Sequence, residues 1–377
     1  MRWSWKIAEV LGIRVYIHAT FWLLILFVLY SSWSRGHTAA QTALGVIFIL
    51  AIFGCVVLHE FGHALMARHY GIRTRDITLL PIGGLARLER MPDDPKQELL
   101  VALAGPAVNV VIAAALFLGS AAVGARFEWV DFNWLGGNLL TGLMDVNIWL
   151  VLFNLIPAFP MDGGRVLRAL LAIRMEYTRA TRIAARTGQG IAFLFGLAGL
   201  FGNPFLLFIA LFVWLGAEQE AAGVQLRSAI AGIPVERVML RDFQVLGPGD
   251  QVAAAIGHAV ASGQQEFPVV SGSQVLGILT RRDLVRAIQQ HGAEAPVSMV
   301  MEHDIQMVDS YEMLDNVIGR LSESKTRALP VIHGGLLVGM LTMENVAEFL
   351  MIRKAVKDMG HAGVGRTVHT GREREPN

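Results

Sequence analysis

One stretch of the chain, residues 44–66, is long and apolar enough to cross a lipid bilayer, yet it contains three ionisable side chains. These are His59, Glu60 and His63, in the pattern His-Glu-x-x-His. On a helix the two histidines lie one turn apart on the same face, so both imidazoles can reach one tetrahedral metal ion. Ionisable groups in lipid cost about 2–4 kcal/mol each and are usually functional, so a metal site within the membrane is predicted.

Two imidazoles are too few ligands for a stable zinc site, so a third protein ligand is expected elsewhere. The best candidate is Asp162, in a stretch that closes a later apolar run. Pro157 and Pro160 break the helix there, and unwound backbone at membrane depth needs a protein-lined or wet cavity. The alternative is that Asp162 only caps the amphipathic segment that follows it. At a complete site, Glu60 could take a proton from a water at the metal.

The composition favours an integral membrane protein. Of the 377 residues, 54% are hydrophobic and only 17% are charged, which is too apolar for an ordinary soluble domain. A net charge of +1 gives no indication of nucleic-acid binding. Because Cys55 is the one cysteine, an internal disulfide is excluded, and Zn²⁺ is expected on nitrogen and oxygen ligands, one ion per chain, as in catalytic sites.

Apolar runs separated by short polar links predict a membrane domain over residues 1–222. Six spans are expected, and the last two are short for a bilayer crossing. Lys and Arg are concentrated before span one, after span two and after span four, which predicts that both termini lie on the cytoplasmic side of the cell membrane. The spans are 17–33, 42–66, 99–123, 139–156, 190–201 and 204–217, and the basic cluster after span four is Arg165, Arg168, Arg174, Arg179, Arg182 and Arg186.

Beyond residue 221 the sequence is of a soluble α/β type and contains an internal repeat. Pro268-Val-Val recurs as Pro330-Val-Ile, and Gly277-Ile-Leu-Thr recurs as Gly339-Met-Leu-Thr, at a constant offset. Two copies are too few for a solenoid, so they predict a paired module over residues 233–292 and 295–354. The Gly-, His- and Arg-rich segment 358–377 has no apolar periodicity and is expected to be disordered.

Two further segments have an open interpretation. Residues 81–89 alternate around the pair Gly83-Gly84 and predict a hairpin whose edge could hold an extended peptide by strand addition, with a plain cytoplasmic turn as the alternative. Residues 105–109 place small residues and one amide, Asn109, in span three. This pattern favours close helix packing at least as strongly as a contact to the site.

Taken in order, His-Glu-Phe-Gly-His at 59–63, Gly-Pro-Ala-Val-Asn at 105–109 and the stretch 154–165 resemble the site-2 protease family of intramembrane metalloproteases. The matching subgroup is bacterial and carries a C-terminal pair of CBS domains. The substrates that this resemblance implies are transmembrane or membrane-proximal segments of regulatory membrane proteins.

The resemblance also implies roles for single residues. His59, His63 and Asp162 would bind Zn²⁺, and Glu60 would be the general base. Asn154, eight residues before the aspartate, would polarise the scissile carbonyl or hold its oxyanion.

The repeat resembles a tandem CBS pair, so the expected fold is a polytopic α-helical membrane domain of about six transmembrane helices, followed by a cytoplasmic α/β tandem CBS pair. In such pairs a Thr contacts the phosphate of an adenine nucleotide and an Asp contacts the ribose. Thr280 and Asp283 fit this pattern, whereas the second copy has Thr342 and Asn345, and the asparagine is a weaker ribose partner. The alternative is a structural pair that joins copies of the chain into a homo-oligomer.

Zinc-dependent peptide hydrolysis in the membrane, modulated by the CBS pair, is the favoured function. A CBS-gated transporter or channel is the second hypothesis, but no span has the repeated acidic or broken-helix pattern of an ion path. A non-catalytic membrane-protein binder is the third, and every expected catalytic residue is present, which argues against it. The expected partners are a membrane-protein substrate, the lipid bilayer and an adenine nucleotide, and no nucleic acid.

Overall fold

Residues 3–81, 83–92, 94–122 and 139–364 are described by a computed structural model, with side chains as far as residue 356. The chain divides into two units, Met1–Val224 and Gln225–Asn377. Each unit has its own clusters of buried apolar side chains. Each unit therefore has its own hydrophobic core.

Seven helices begin in the described part of the first unit, and the last of them continues past Val224: α1 (Phe21–Ser34), α2 (Ala39–His69), α3 (Pro95–Ala122), α4 (Leu139–Asn154), α5 (Asp162–Ala172), α6 (Tyr177–Phe201) and α7 (Phe205–Ile230). Helices α2, α3, α6 and α7 are long and apolar enough to cross a membrane, while α1 and α4 are apolar but shorter. Thr38 caps the start of α2 reciprocally with Gln41, and Pro95 opens α3, where its missing N–H is not needed.

The helices differ in length from the predicted spans. The first predicted span begins inside a strand, because residues 17–18 end the strand Ile13–His18 and the helix starts only at Phe21. The last two helices are much longer than predicted, because each continues through a polar segment that the apolar runs exclude. The predicted limits at residues 201 and 204, between the last two spans, agree with the end of α6 at Phe201 and the start of α7 at Phe205. The end of span three, at Val123, lies outside the described residues.

A mixed four-stranded sheet lies against α2. Its strands are β1 (Ser4–Val10), β2 (Ile13–His18), β3 (Thr74–Leu80) and β4 (Gly83–Leu88), in that order across the sheet. Strands β1 and β2 pair antiparallel, as do β3 and β4, and β2 runs parallel to β3. Val15 and Ile77 of the sheet pack against Phe61 and Ala64 of α2, so the sheet is fixed to the helix that carries both histidines.

The chain is unwound between α4 and α5, as the sequence predicts. Pro157 and Pro160 cannot continue a helical hydrogen-bond ladder because they lack a backbone N–H. The side chains of Ala158, Phe159 and Met161 are nevertheless buried, in contact with α6 and α7. This segment therefore presents Asp162 from a packed, non-helical backbone.

The second unit contains two similar halves. Its elements are α8 (Val252–Ser262), β5 (Glu266–Ser271), β6 (Gln274–Thr280), α9 (Arg281–His291), β7 (Val308–Asp309), α10 (Leu314–Glu323), β8 (Ala328–His333), β9 (Leu336–Thr342) and α11 (Met343–Val364). The hairpins β5–β6 and β8–β9 are antiparallel and carry a bulge at equivalent places, before Val270 and before Ile332. Helix α11 extends to Val364, into the segment with predicted disorder, and residues 365–377 lie outside the described residues.

Candidate metal centre

Two histidines of α2 form one side of the site. His59 and His63 are one helical turn apart, are both buried, and have ring centroids 4.8 Å from each other. Helix α3 approaches their rings at Gly105, where an added Cβ would lie 2.7 Å from the His59 Nε2 atom. Only a glycine permits this approach, so the small residue in α3 serves the site as well as helix packing.

Helix α3 also fixes the protonation of both rings. The Nδ1 atom of His59 lies 2.8 Å from the Asn109 Oδ1 atom, and the Nδ1–H of His63 donates to the Val101 carbonyl at 2.7 Å. A carbonyl oxygen can only accept, so in a neutral imidazole the proton occupies Nδ1 and leaves a lone pair on Nε2. With the amide oxygen of Asn109 as acceptor, the same holds for His59.

Asp162 completes a cluster of three convergent atoms. Its Oδ2 atom lies 3.2 Å from the His59 Nε2 atom and 3.0 Å from that of His63, while the two Nε2 atoms are 3.1 Å apart. All three side chains are buried. Tetrahedral bonds of zinc to nitrogen and oxygen imply ligand separations of about 3.3 Å, close to those observed. Three acceptor atoms this close together fit a cation, and the donor set fits zinc.

Asp162 is placed by the start of α5. It is the first residue of that helix, and its other oxygen, Oδ1, lies 3.9 Å from the Arg165 Nη1 atom. An added Cβ at Gly164 would lie 2.6 Å from the Phe159 backbone nitrogen, so the first turn of α5 packs directly on the unwound segment. The capping interpretation of Asp162 does not account for its contacts to two histidines from another helix.

Glu60 of α2 faces the edge strand β4. Its Oε2 atom accepts a hydrogen bond of 3.0 Å from the Ala86 N–H. An added Cβ at Gly84 would lie 2.7 Å from the Glu60 Cγ atom, so strand and carboxylate are in close contact. The predicted hairpin over 81–89 differs from the structure, because Gly83 and Gly84 lie within β4, which pairs antiparallel with the preceding strand β3. The outer edge of β4 is therefore beside Glu60.

Asn154, the expected oxyanion residue, has a local partner. It is the last residue of α4, and its Nδ2–H donates to the Leu150 carbonyl at 3.0 Å. Within the part of the chain that the structure describes, its side chain makes no hydrogen bond to the three-residue cluster. Its expected contact to a substrate remains a prediction.

The expected nucleotide-binding residues also bond one another. Thr280 precedes α9, accepts a hydrogen bond from the Asp283 N–H at 3.2 Å, and its hydroxyl donates to the Asp283 carboxylate at 2.6 Å. Thr342 and Asn345 repeat this arrangement before α11, with a hydroxyl-to-amide distance of 2.7 Å. These residues therefore cap helices whether or not a ligand is bound.

The sequence patterns did not identify three groups that orient or support the metal-site residues. Asn109 was visible as an amide in an apolar run, but packing explained it equally well. The Val101 carbonyl is a backbone group and leaves no trace in residue type. In the sequence, Arg168 belongs to a basic cluster that reads as an exposed polar link. In the structure its side chain is fully buried between two carboxylates, those of Glu98 and Glu220.

Comparisons with known proteins identify the families that this sequence resembles. The model of peptidase family M50 matches residues 47–127 and 133–197, and the CBS domain model matches 235–290 and 297–352. A zinc metalloprotease of Methanocaldococcus jannaschii is 30% identical over 362 residues, covering 95% of this chain and 99% of the relative. A candidate zinc metalloprotease of Synechocystis sp. is 29% identical over 93% of this chain and 96% of its own length.

Among solved structures, a site-2 protease from Methanocaldococcus jannaschii is 38% identical, covers 58% of this chain and 95% of its own, and has a TM-score of 0.45. The identity over nearly the full length of the first relative, together with the two family models, is sufficient to assign the family. The chain belongs to peptidase family M50, a family of metallopeptidases, and carries a pair of CBS domains behind its peptidase unit.

Proposed function

We propose that this protein is an intramembrane zinc-dependent endopeptidase that cleaves transmembrane or membrane-proximal segments of regulatory membrane proteins. The observation that carries the proposal is the convergence of two histidine Nε2 atoms and one Asp162 oxygen within 3.0–3.2 Å of one another. All three lie on helices or segments next to apolar helices long enough to cross a membrane. The site therefore combines metal-binding chemistry with a lipid environment.

His59, His63 and Asp162 would hold one Zn²⁺ per chain, which supplies Lewis-acid polarisation of a peptide carbonyl and activation of a water. Glu60 would accept a proton from the attacking water on its carboxylate and then donate it to the nitrogen of the leaving amine. The Ala86 N–H holds one carboxylate oxygen at 3.0 Å, which orients the other. Asn154 would donate its side-chain N–H to the substrate carbonyl after giving up its bond to Leu150.

The edge of β4 offers a way to hold the substrate. A helical transmembrane segment must be opened before cleavage, and its freed N–H and C=O groups then need partners. Strand β4 is at the end of the sheet, and its outer edge is beside Glu60. An extended substrate that adds to this edge would satisfy its backbone groups and lie next to the general base.

The proposed location is the cell membrane, with several spans in the lipid bilayer. The distribution of Lys and Arg supports a cytoplasmic N-terminus and cytoplasmic CBS domains. An adenine nucleotide bound near Thr280 and Asp283 would modulate cleavage if it bound the two states of the enzyme differently. The pair would otherwise join copies of the chain into a homo-oligomer.

The test uses the purified protein in lipid nanodiscs, with zinc content measured by elemental analysis. Membrane extracts of cells lacking the protein, or carrying Glu60→Gln, are compared by proteomics with those of wild-type cells. Membrane fragments that accumulate in both are then cleaved by the wild-type protein in nanodiscs. One zinc per chain and cleavage dependent on Glu60 are expected. Ion flux through proteoliposomes without any cleavage would instead favour the transporter.

A further inference from the structure

Helix α7 packs along the segment that carries Asp162. Gly216 of α7 faces Pro160, and an added Cβ at this glycine would lie 2.5 Å from the Pro160 Cδ atom. Val213 and Ala217, on the same side of the helix, are fully buried in clusters with the side chains of residues 158, 159 and 161. The position of α7 therefore fixes the backbone just before Asp162.

One turn beyond Gly216, Glu220 contacts the helix on the other side of Asp162. Its Oε1 atom lies 2.5 Å from the Nη1 atom of Arg168, in α5. The Arg168 Nε–H also donates to the Glu98 Oε1 atom at 2.7 Å. Rings of Phe159 and Tyr177 lie 5.1 and 5.0 Å from the guanidinium.

Arg168 cannot release these partners without a large penalty. Its side chain is 0% exposed, and a buried guanidinium is tolerated only when carboxylates neutralise it. Glu98 lies on α3, the helix whose Val101 carbonyl and Asn109 amide orient the two histidines. Arg168 thus joins the helix that orients the histidines to the helix that begins with Asp162.

We propose that Arg168 and Glu220 are a positioning pair, which sets the distance between Asp162 and the two histidines through α7. The proposal rests on the proposed function in one respect, because it takes zinc as the ligand of the three-residue cluster. Helix α7 ends at Ile230, which is fully buried in a core cluster of the second unit.

The first test compares two glutamates of α7. Glu220→Gln removes the charge that pairs with Arg168, while Glu218→Gln is the control, since Glu218 is exposed and accepts a hydrogen bond from Gln189. Zinc affinity is measured by chelator competition on the full-length protein in nanodiscs, and the Co²⁺-substituted proteins are compared by absorption spectroscopy. Glu220→Gln should raise the zinc Kd about tenfold or more and shift the Co²⁺ bands of the folded protein, at a temperature well below the Tm of the variant. Glu218→Gln should match wild type.

The second test compares two glycines of the same helix. Gly216→Ala forces α7 away from Pro160, whereas an added Cβ at Gly223 meets open space, so Gly223→Ala is the control. Zinc affinity should fall in the first variant alone. The double variant Glu98→Gln/Arg168→Met removes the buried charges together, which protects folding, and it should also bind zinc about tenfold more weakly.

Wild-type zinc affinity in both Glu220→Gln and the double variant would overturn the positioning pair, and so would equal losses in Glu220→Gln and Glu218→Gln. A wild-type protein that binds no zinc would instead overturn the proposed function. The two failures are therefore distinguishable in one set of titrations.

Discussion

The two units hold their polar residues in opposite ways. In the first unit, two histidine nitrogens and an aspartate oxygen face one another, although all three are acceptors once the Nδ1 atoms have donated their protons. In the second unit, Thr280 and Asp283 form a donor–acceptor pair, and so do Thr342 and Asn345. The first arrangement needs a cation, whereas the second is stable by itself.

This contrast shows how much a residue pattern can establish. Buried acceptors that converge are unfavourable without a ligand, so their geometry is informative about function. A threonine and an aspartate at a helix start are favourable without any ligand, because they satisfy backbone N–H groups. The metal centre therefore follows more directly from the fold than the nucleotide site does.

The largest effect is expected at the aspartate. Asp162→Ala should lose both zinc and cleavage, because two imidazoles alone hold zinc poorly, and Asp162→Asn should retain an intermediate metal content. Elemental analysis and a cleavage assay with a fragment identified from cells measure the two effects. Full zinc occupancy in Asp162→Ala would return this residue to a capping role.

The next effect separates binding from catalysis. Glu60→Gln should keep zinc but lower cleavage by about 10²–10⁴-fold, since the amide preserves shape but cannot accept the proton. Zinc content and single-turnover rates are measured on the same preparation. Cleavage at a near wild-type rate would contradict the role of Glu60 as the base.

A smaller effect on zinc affinity is expected at Asn109, the hydrogen-bond partner of His59. Asn109→Ala removes the acceptor for the His59 Nδ1–H and should weaken zinc binding by about 10–100-fold. Asn109→Asp keeps an acceptor oxygen and serves as the matched variant, which should bind zinc better than the alanine variant. Equal zinc affinities in Asn109→Ala and wild type would show that the ring is oriented by packing alone.

In the second unit, the two CBS repeats should differ in their affinity for an adenine nucleotide more than in their stability. Asp283→Ala should weaken binding of an adenine nucleotide by about tenfold, as for the loss of a charged hydrogen bond, and Asn345→Ala should have less effect. Calorimetry on the full-length protein with AMP and ATP measures both. If nucleotide binds but cleavage does not respond to it, the pair is an assembly module.

The smallest effect concerns pH. Burial, followed by the nearby Glu344 carboxylate, raises the pKa of Glu266 to about 7. A raised pKa means that the contribution to stability is present at low pH and is lost as the pH rises through about 7. Glu266→Gln should therefore unfold at a higher Tm than wild type at about pH 8, with little difference at about pH 5. The reverse order would contradict this assignment.

Residue spacing alone predicted the histidine pair, because a helix has a fixed period and an apolar run identifies the helix. It also predicted the unwound stretch before Asp162, since proline removes a backbone donor regardless of context. The lengths of α6 and α7 were underestimated, because a helix can continue into polar sequence once neighbouring helices bury one of its faces.

The sequence by itself determined which chemistry this chain carries, namely a metal-binding histidine pair in an apolar helix, a distant aspartate and a repeated α/β module. Only the tertiary structure decided how the metal centre is held. The Val101 carbonyl, the Asn109 amide and the Arg168 ion pairs act across helices that are far apart in the chain. Local patterns report the backbone period and turn chemistry, whereas contacts between distant helices depend on packing that no single segment specifies.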